Sequence, residues 1–147
     1  MIIGRRIYFD IVTGEKLVDT GERSGDVINT TVEHDIAVYQ ALSVRNRKTF
    51  DYIELEYGQY KEDFASCNGY RVVPETKQIE FSYPDPNKPE PQQPVFERPL
   101  TEQVKSLEAD LGNLLLESAT DKATITTLED TVGNLLLEVA MLKGGNA

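Results

Sequence analysis

The side chains here with the most scope for chemistry are one histidine, one cysteine and a pair of glutamates on one strand. His34 stands between Glu33 and Asp35. Three successive positions on a helix point in different directions, so this trio does not converge on a metal or a proton, and an exposed helix residue is the expectation. Cys67 has no histidine near it in sequence and reads as a small, semi-buried residue. Glu54 and Glu56 share one face of a strand, where a cation or sugar could be gripped; a solvated strand face is the plainer reading. Glycine-rich dinucleotide and phosphate loops, the zinc-protease HExxH and the nucleophile elbow are all absent. The chain is therefore expected not to be an enzyme, and to hold neither a cofactor nor a metal.

The chemistry that the spacing does support is association. From Val104, alternating steps of three and four reach Leu107, Leu111, Leu114, Ser118, Asp121, Ile125, Leu128, Val132, Leu135, Val139 and Leu142, and ten of these twelve positions are apolar. This is a heptad seam with Val104 at a and Leu107 at d, too narrow for the buried face of a globular helix but suited to helices coiled on one another. In a parallel pair each g residue faces the e residue five places on in its neighbour. Glu117 then meets Lys122 and Glu138 meets Lys143, both attractive, at only ~0.5 kcal/mol each, so these charges select register more than they stabilise. The expectation is a parallel homo-oligomer. β-Branched residues at a favour two strands, whereas Leu115 and Leu136 at e widen the face toward three; a trimer is favoured, a dimer next.

The same stretch carries an internal repeat. LEADLGNLLLESA at 107–119 returns as LEDTVGNLLLEVA at 128–140, three heptads on. Leu116 and Leu137 fall at the outer f position and Gly112 and Gly133 at b, so Leu115, Leu116, Leu136 and Leu137 are candidates for docking a further protein, against the alternative of tolerated surface leucines in a duplicated cassette. Ser118 and Asp121 interrupt the seam at its middle. A polar layer can fix register, and Asp at d would gather like charges on the axis. The rival is a helical hairpin turning at 120–121, where no Gly or Pro supports a turn.

Those positions need elements to carry them. Residues 1–83 read as a small α+β head: an antiparallel sheet with one main helix, in the order β-β-α-β-(α)-β-β. Ile7, Phe9 and Ile11 alternate along a first strand, 13–15 turns, and 16–20 returns. Residues 21–29 read as loop. Thr30 and Glu33 have capping-box spacing for a helix to about Val44 that buries some of Val32, Ile36, Val38, Tyr39, Ala41 and Leu42. A strand over 52–57 follows. A short helical turn then places Tyr60 and Phe64 on one side, and a hairpin pairs 70–73 with 78–83. Residues 84–99 hold six prolines and read as an extended spacer of up to ~50 Å. Thr101 is the expected N-cap of the coiled-coil segment 100–143, in which a helix from about Thr101 to Lys143 would be roughly 64 Å long, and 144–147 is a flexible tail.

At 147 residues with a net charge of −10, the chain is a poor partner for duplex DNA or an anionic membrane, so neither nucleic acid nor membrane is expected. Arg5–Arg6 and 45–48 are the basic clusters, and they read as solvated residues near element ends. One cysteine allows no internal disulfide framework. No signal sequence and no run of 18 apolar residues is visible, pointing to synthesis in a reducing cytoplasm.

Two stretches together look familiar: GRRIYFDIVTGEKLVDTGERSGDV near the start, and LEADLGNLLLES with LEDTVGNLLLEVAMLKGG at the end. Between them LEYGQYKEDFASCNGYRVVPETKQIEFSYPDP leads into the proline-rich stretch. This layout resembles small proteins of tailed phages and prophages of Gram-positive bacteria that accompany tail, baseplate or fibre proteins. The resemblance implies a structural or assembly role in a virion tail, other tail proteins as partners, and synthesis in the host bacterial cytoplasm; it transfers no catalytic residue. Two further roles stay open: an assembly chaperone or adaptor that leaves before the virion is finished, and a host-surface module whose head reads carbohydrate.

Overall fold

A computed structural model describes residues 1–89 and 93–145. The chain forms two compact units, 1–103 and 104–147. Antiparallel sheets and helices make up the first, and a single helix makes up the described part of the second, so the class is α+β.

The alternation along Arg6–Asp10 (β2) sets the layers of the first unit. Successive strand residues point to opposite faces. Ile7 and Phe9 go to one side, Tyr8 to the other, and all three are fully buried. β2 is the middle strand of a three-stranded sheet, between Lys16–Asp19 (β3) and Phe50–Glu54 (β5), with Ile7 opposite Ile53 and Tyr8 opposite Tyr52. On one face Ile7, Phe9, Ile53 and Leu55 meet Val72, Ile79 and Phe81 of a second sheet, flanked by Tyr60, Phe64 and Tyr70. That sheet is Gly69–Val73 (β6), Gln78–Ser82 (β7) and Phe96–Glu97 (β8). On the other face Tyr8, Val18 and Phe50 pack with Leu42, Val32, Ile36 and Tyr39 from two short helices, Val32–Val38 (α1) and Gln40–Ser43 (α2).

Two glycines hold the layers close. Gly14 turns β2 into β3 with φ +76°, and its carbonyl accepts from the Val72 N–H at 3.0 Å, joining the two sheets. A Cβ there would lie 2.3 Å from the Val72 carbonyl oxygen; one at Gly4 would lie 1.9 Å from that of Leu55. Both positions need a bare backbone.

Several expectations change. One small sheet becomes three, because Arg23–Ser24 (β4), inside the expected 21–29 loop, pairs with Ile2–Ile3 (β1). The N-cap is Thr31, whose hydroxyl accepts from the His34 N–H at 3.2 Å. The helix breaks at Tyr39, which is extended, so Val38 turns outward and Leu42 turns in. Ile11 lies past the end of β2 and is exposed. The expected hairpin and the short helix, Lys61–Ser66 (α3), are present.

The stretch 84–99 includes β8, which pairs on β7 with Ser82 opposite Phe96, while the Arg71 guanidinium covers the Phe96 ring at 4.7 Å and Pro99 is fully buried. The first unit thus extends past 83, since 95–99 comes back to complete the second sheet; residues 90–92 of the expected spacer lie outside the described residues. Leu100–Gly145 (α4) is one unbroken helix. It runs through 120–121, which removes the hairpin, and it includes Gly144 and Gly145 of the expected tail, whose residues 146–147 lie outside the described residues.

Candidate functional site

Two groupings in the first unit carry buried charge. Asp35, in the first turn of α1, is 2 % exposed. Its carboxylate accepts from the Arg6 guanidinium at 2.5 Å, the Tyr8 hydroxyl at 2.8 Å and the Thr30 hydroxyl at 2.7 Å. Arg6 also reaches Glu54 through Nε and a terminal nitrogen, at 2.9 and 2.7 Å. Burial alone would raise the Asp35 carboxyl; hydrogen bonds from Thr30, Tyr8 and Arg6 outweigh it and hold the group below the ordinary carboxylate range. Burial, with Asp35 as acceptor, pushes the Tyr8 hydroxyl far above its ordinary value. This cluster fastens α1 to β2.

Nearby, Arg5 pairs with Asp19 at 2.9 Å and stacks on the Phe64 ring at 3.7 Å. The reading of Arg5 and Arg6 as solvated residues is therefore corrected: their side chains are only 17 % and 13 % exposed because each is drawn against a carboxylate that the fold buries.

The second grouping starts α4, whose first turn belongs to the first unit. Free N–H groups there need acceptors. The Pro99 carbonyl takes those of Glu102 and Gln103, so the helix begins two residues earlier than a Thr101 cap would place it. Thr101 instead donates its hydroxyl to buried Asp63 of α3, which also accepts from the Tyr83 hydroxyl at 2.6 Å. Tyr83 in turn accepts from the Leu100 N–H at 2.9 Å, and Tyr60 donates to Glu102.

The other residues with chemical scope stand apart. His34 is exposed. Cys67 is half-buried, and burial pushes its thiol up, away from the thiolate that nucleophilic work needs. Glu54 is tied to Arg6, and Glu56 lies beyond the end of β5. Among the described residues no three His, Cys, Asp or Glu side chains gather as a metal site requires, and no helix is long and apolar enough to cross a membrane.

What remains is α4. Every residue from 104 to 145 is exposed. The ten apolar seam residues, Val104, Leu107, Leu111, Leu114, Ile125, Leu128, Val132, Leu135, Val139 and Leu142, range from 51 % to 69 % exposed, and Leu115, Leu116, Leu136 and Leu137 from 60 % to 70 %. An isolated helix shields its side chains only through its own turns, and these values are of that order. Among the described residues α4 holds no ion pair. Glu117 and Lys122, or Glu138 and Lys143, are five apart and roughly 140° around one helix, so they can meet only between chains. In the middle of the helix, Thr120, Thr124, Thr126, Thr127 and Thr131 each turn a hydroxyl back to the carbonyl four residues earlier, at 2.9–3.1 Å.

The heptad residues and the leucine pairs were legible in the spacing. Asp35, Tyr8, Asp63 and Tyr83 were not: each looks like an ordinary polar residue of an amphipathic element until its partner arrives from elsewhere in the fold. Compared with protein-family models, with curated proteins and with solved structures, the chain gives no match in any of the three.

Proposed function

We propose that the protein is a structural, self-associating component whose α4 seam is buried against sister copies running in the same direction, three chains being favoured over two. The observation that carries this reading is the seam itself: an unbroken helix with ten heptad-spaced apolar residues, each more than half exposed. Covering them would contribute on the order of 1 kcal/mol per residue, since each is already partly shielded by its own helix. Glu117, Lys122, Glu138 and Lys143 set the register. In this reading the assembly serves a tailed-phage tail tip, baseplate or fibre, a role that rests on the sequence resemblance.

Leu115, Leu116, Leu136 and Leu137 support a second reading. They lie beside or outside the a/d seam and are at least as exposed as most of it, which favours docking of another tail protein and hence an adaptor or assembly chaperone. Mass spectrometry of purified virions separates the two: presence in finished particles supports the structural component, absence the adaptor.

Self-association is tested on the full chain by analytical ultracentrifugation. The expected result is a discrete oligomer that Leu114→Asp with Leu135→Asp returns to single chains. A single chain at every concentration overturns the proposal.

A further inference from the structure

We propose that the Ser118–Asp121 turn of α4 makes this assembly respond to protons, sister copies bringing their Asp121 carboxylates together on the axis so that association tightens as pH falls. The inference rests on the self-association reading above.

Its ground is the continuity of the helix. α4 passes through 118–121 without a break, so Asp121 stays in the seam, seven residues or roughly 10.5 Å of helix from Leu114 on one side and from Leu128 on the other. A hairpin would have turned this carboxylate out to a loop; an unbroken helix cannot. In the single chain Asp121 is exposed and hydrated. In a parallel coil a d side chain enters the hole formed by Ser118, Asp121, Lys122 and Ile125 of the neighbour. Its surroundings there exchange water for a second carboxylate and for a coil interior with the Ser118 layer on one side and the apolar Ile125 layer on the other. Both changes favour the neutral acid.

The facing charges do not cancel this. On its own helix Asp121 has Glu117 one turn back and Lys122 beside it. From the neighbour come Asp121, Lys122 and Glu117. Each chain thus brings two carboxylates and one ammonium to this layer, and Glu117 already has Lys122 as its register partner. One carboxylate per chain is left over, and protonating it removes repulsion without breaking an attractive pair. Of the neighbouring hydroxyls, those of Thr120 and Thr124 are tied to the carbonyls of Leu116 and Thr120 at 3.0 Å, so Ser118 is the donor left beside the carboxylate, and one neutral hydroxyl per chain does not cancel a full like charge. An assembly that binds more protons than its separated chains strengthens as protons are added.

The test is sedimentation equilibrium of the full chain at pH 7.5 and pH 5.0 at one ionic strength, with Asp121→Asn and Asp121→Leu alongside. Asp121 is exposed in the single chain, so neither variant disturbs the first unit. The expected result is about tenfold or more tightening of the wild type at pH 5.0, which is what uptake of one proton across one pH unit produces, with both variants tighter than wild type at pH 7.5 and less dependent on pH. A wild type that assembles with the same pH response as Asp121→Asn overturns the inference and leaves self-association standing. Failure of the wild type and both variants to associate at either pH overturns both.

Discussion

Removing the Asp35 carboxylate should unfasten the first unit. Asp35→Ala takes the acceptor from three donors at once: the Arg6 guanidinium at 2.5 Å, the Tyr8 hydroxyl at 2.8 Å and the Thr30 hydroxyl at 2.7 Å. Tyr8 is fully buried and the Arg6 side chain is 13 % exposed, so water reaches neither freely. Breaking a buried pair from one side costs ~3–5 kcal/mol. The lower end applies here, because Glu54 still holds Arg6 but is itself 60 % exposed and screened. Against a typical stability of 5–15 kcal/mol, and with Tm falling roughly 4–8 °C per kcal/mol in a domain near 100 residues, the loss should be more than about 12 °C. Near-UV circular dichroism isolates the effect: all seven tyrosines lie between 8 and 83, and no aromatic residue follows Phe96, so α4 is silent there. Tyr8→Phe removes one donor and leaves Arg6 and Thr30 on the carboxylate, so it should cost only ~1 kcal/mol. If Asp35→Ala melts within about 4 °C of wild type, or no lower than Tyr8→Phe, the cluster is not what fastens α1 to β2.

The same tyrosine signal should fail at both ends of the pH scale. Buried Asp35 and half-buried Asp51 are held low by hydrogen bonds, and Asp10 is held low by the Val12 and Thr13 N–H groups; their contribution is complete above the unfolded carboxylate value of ~3.9 and is lost as pH falls through the depressed folded values. Burial raises Tyr8, Tyr60, Tyr70 and Tyr83, so their contribution is complete below ~10 and is lost as pH rises through the raised ones. Signal steady between pH 5 and 9, and lost outside it, is the expected profile; unfolding near neutrality counts against it. Asp63→Asn should loosen the first turn of α4 by ~0.5–2 kcal/mol, read as faster hydrogen exchange at residues 100–103, with exchange beyond 110 unchanged. Glu117→Lys with Glu138→Lys should weaken association severalfold at low salt and little at 0.5 M (an ionic strength at which ~4 Å screening applies); equal affinity at low salt removes the proposed register.

What could be read from the chain divides along the range of the interactions. Local periodicity placed β2, β3, the 69–82 hairpin and α4, because each signal lies within a few residues. It misjudged 84–99, where proline content speaks for extension but not for what the extended segment lies against; Phe96 and Pro99 find the second sheet only in three dimensions. It misjudged Arg5 and Arg6 for the same reason, their partners being 14 to 48 residues away. Thr30 and Thr31 show the finest failure. Both can cap a helix, and what separates them is Asp35, which takes the Thr30 hydroxyl and leaves Thr31 to receive the His34 N–H.

The composition of α4 is hard to account for within one chain. Gly112 and Gly133 sit inside the helix, where each costs ~1 kcal/mol relative to alanine, yet a Cβ at either would meet nothing within 4 Å. Five threonines, poor helix formers, bend their hydroxyls back to the main chain without capping anything. The usual compensation on a solvated helix, oppositely charged side chains three or four residues apart, is confined to its start, where Lys105 stands three residues from Glu102 and from Glu108. Long helices in water draw their stability from packing rather than from propensity, and the apolar seam that could supply such packing here is more than half exposed along its length. The repeat makes the point twice over. Whatever benefit GNLLLE brings at 112–117 it brings again at 133–138, at a separation that returns each side chain to the same heptad position. A spacing of three heptads returns the two copies to one face of the helix, which is what the proposed seam requires.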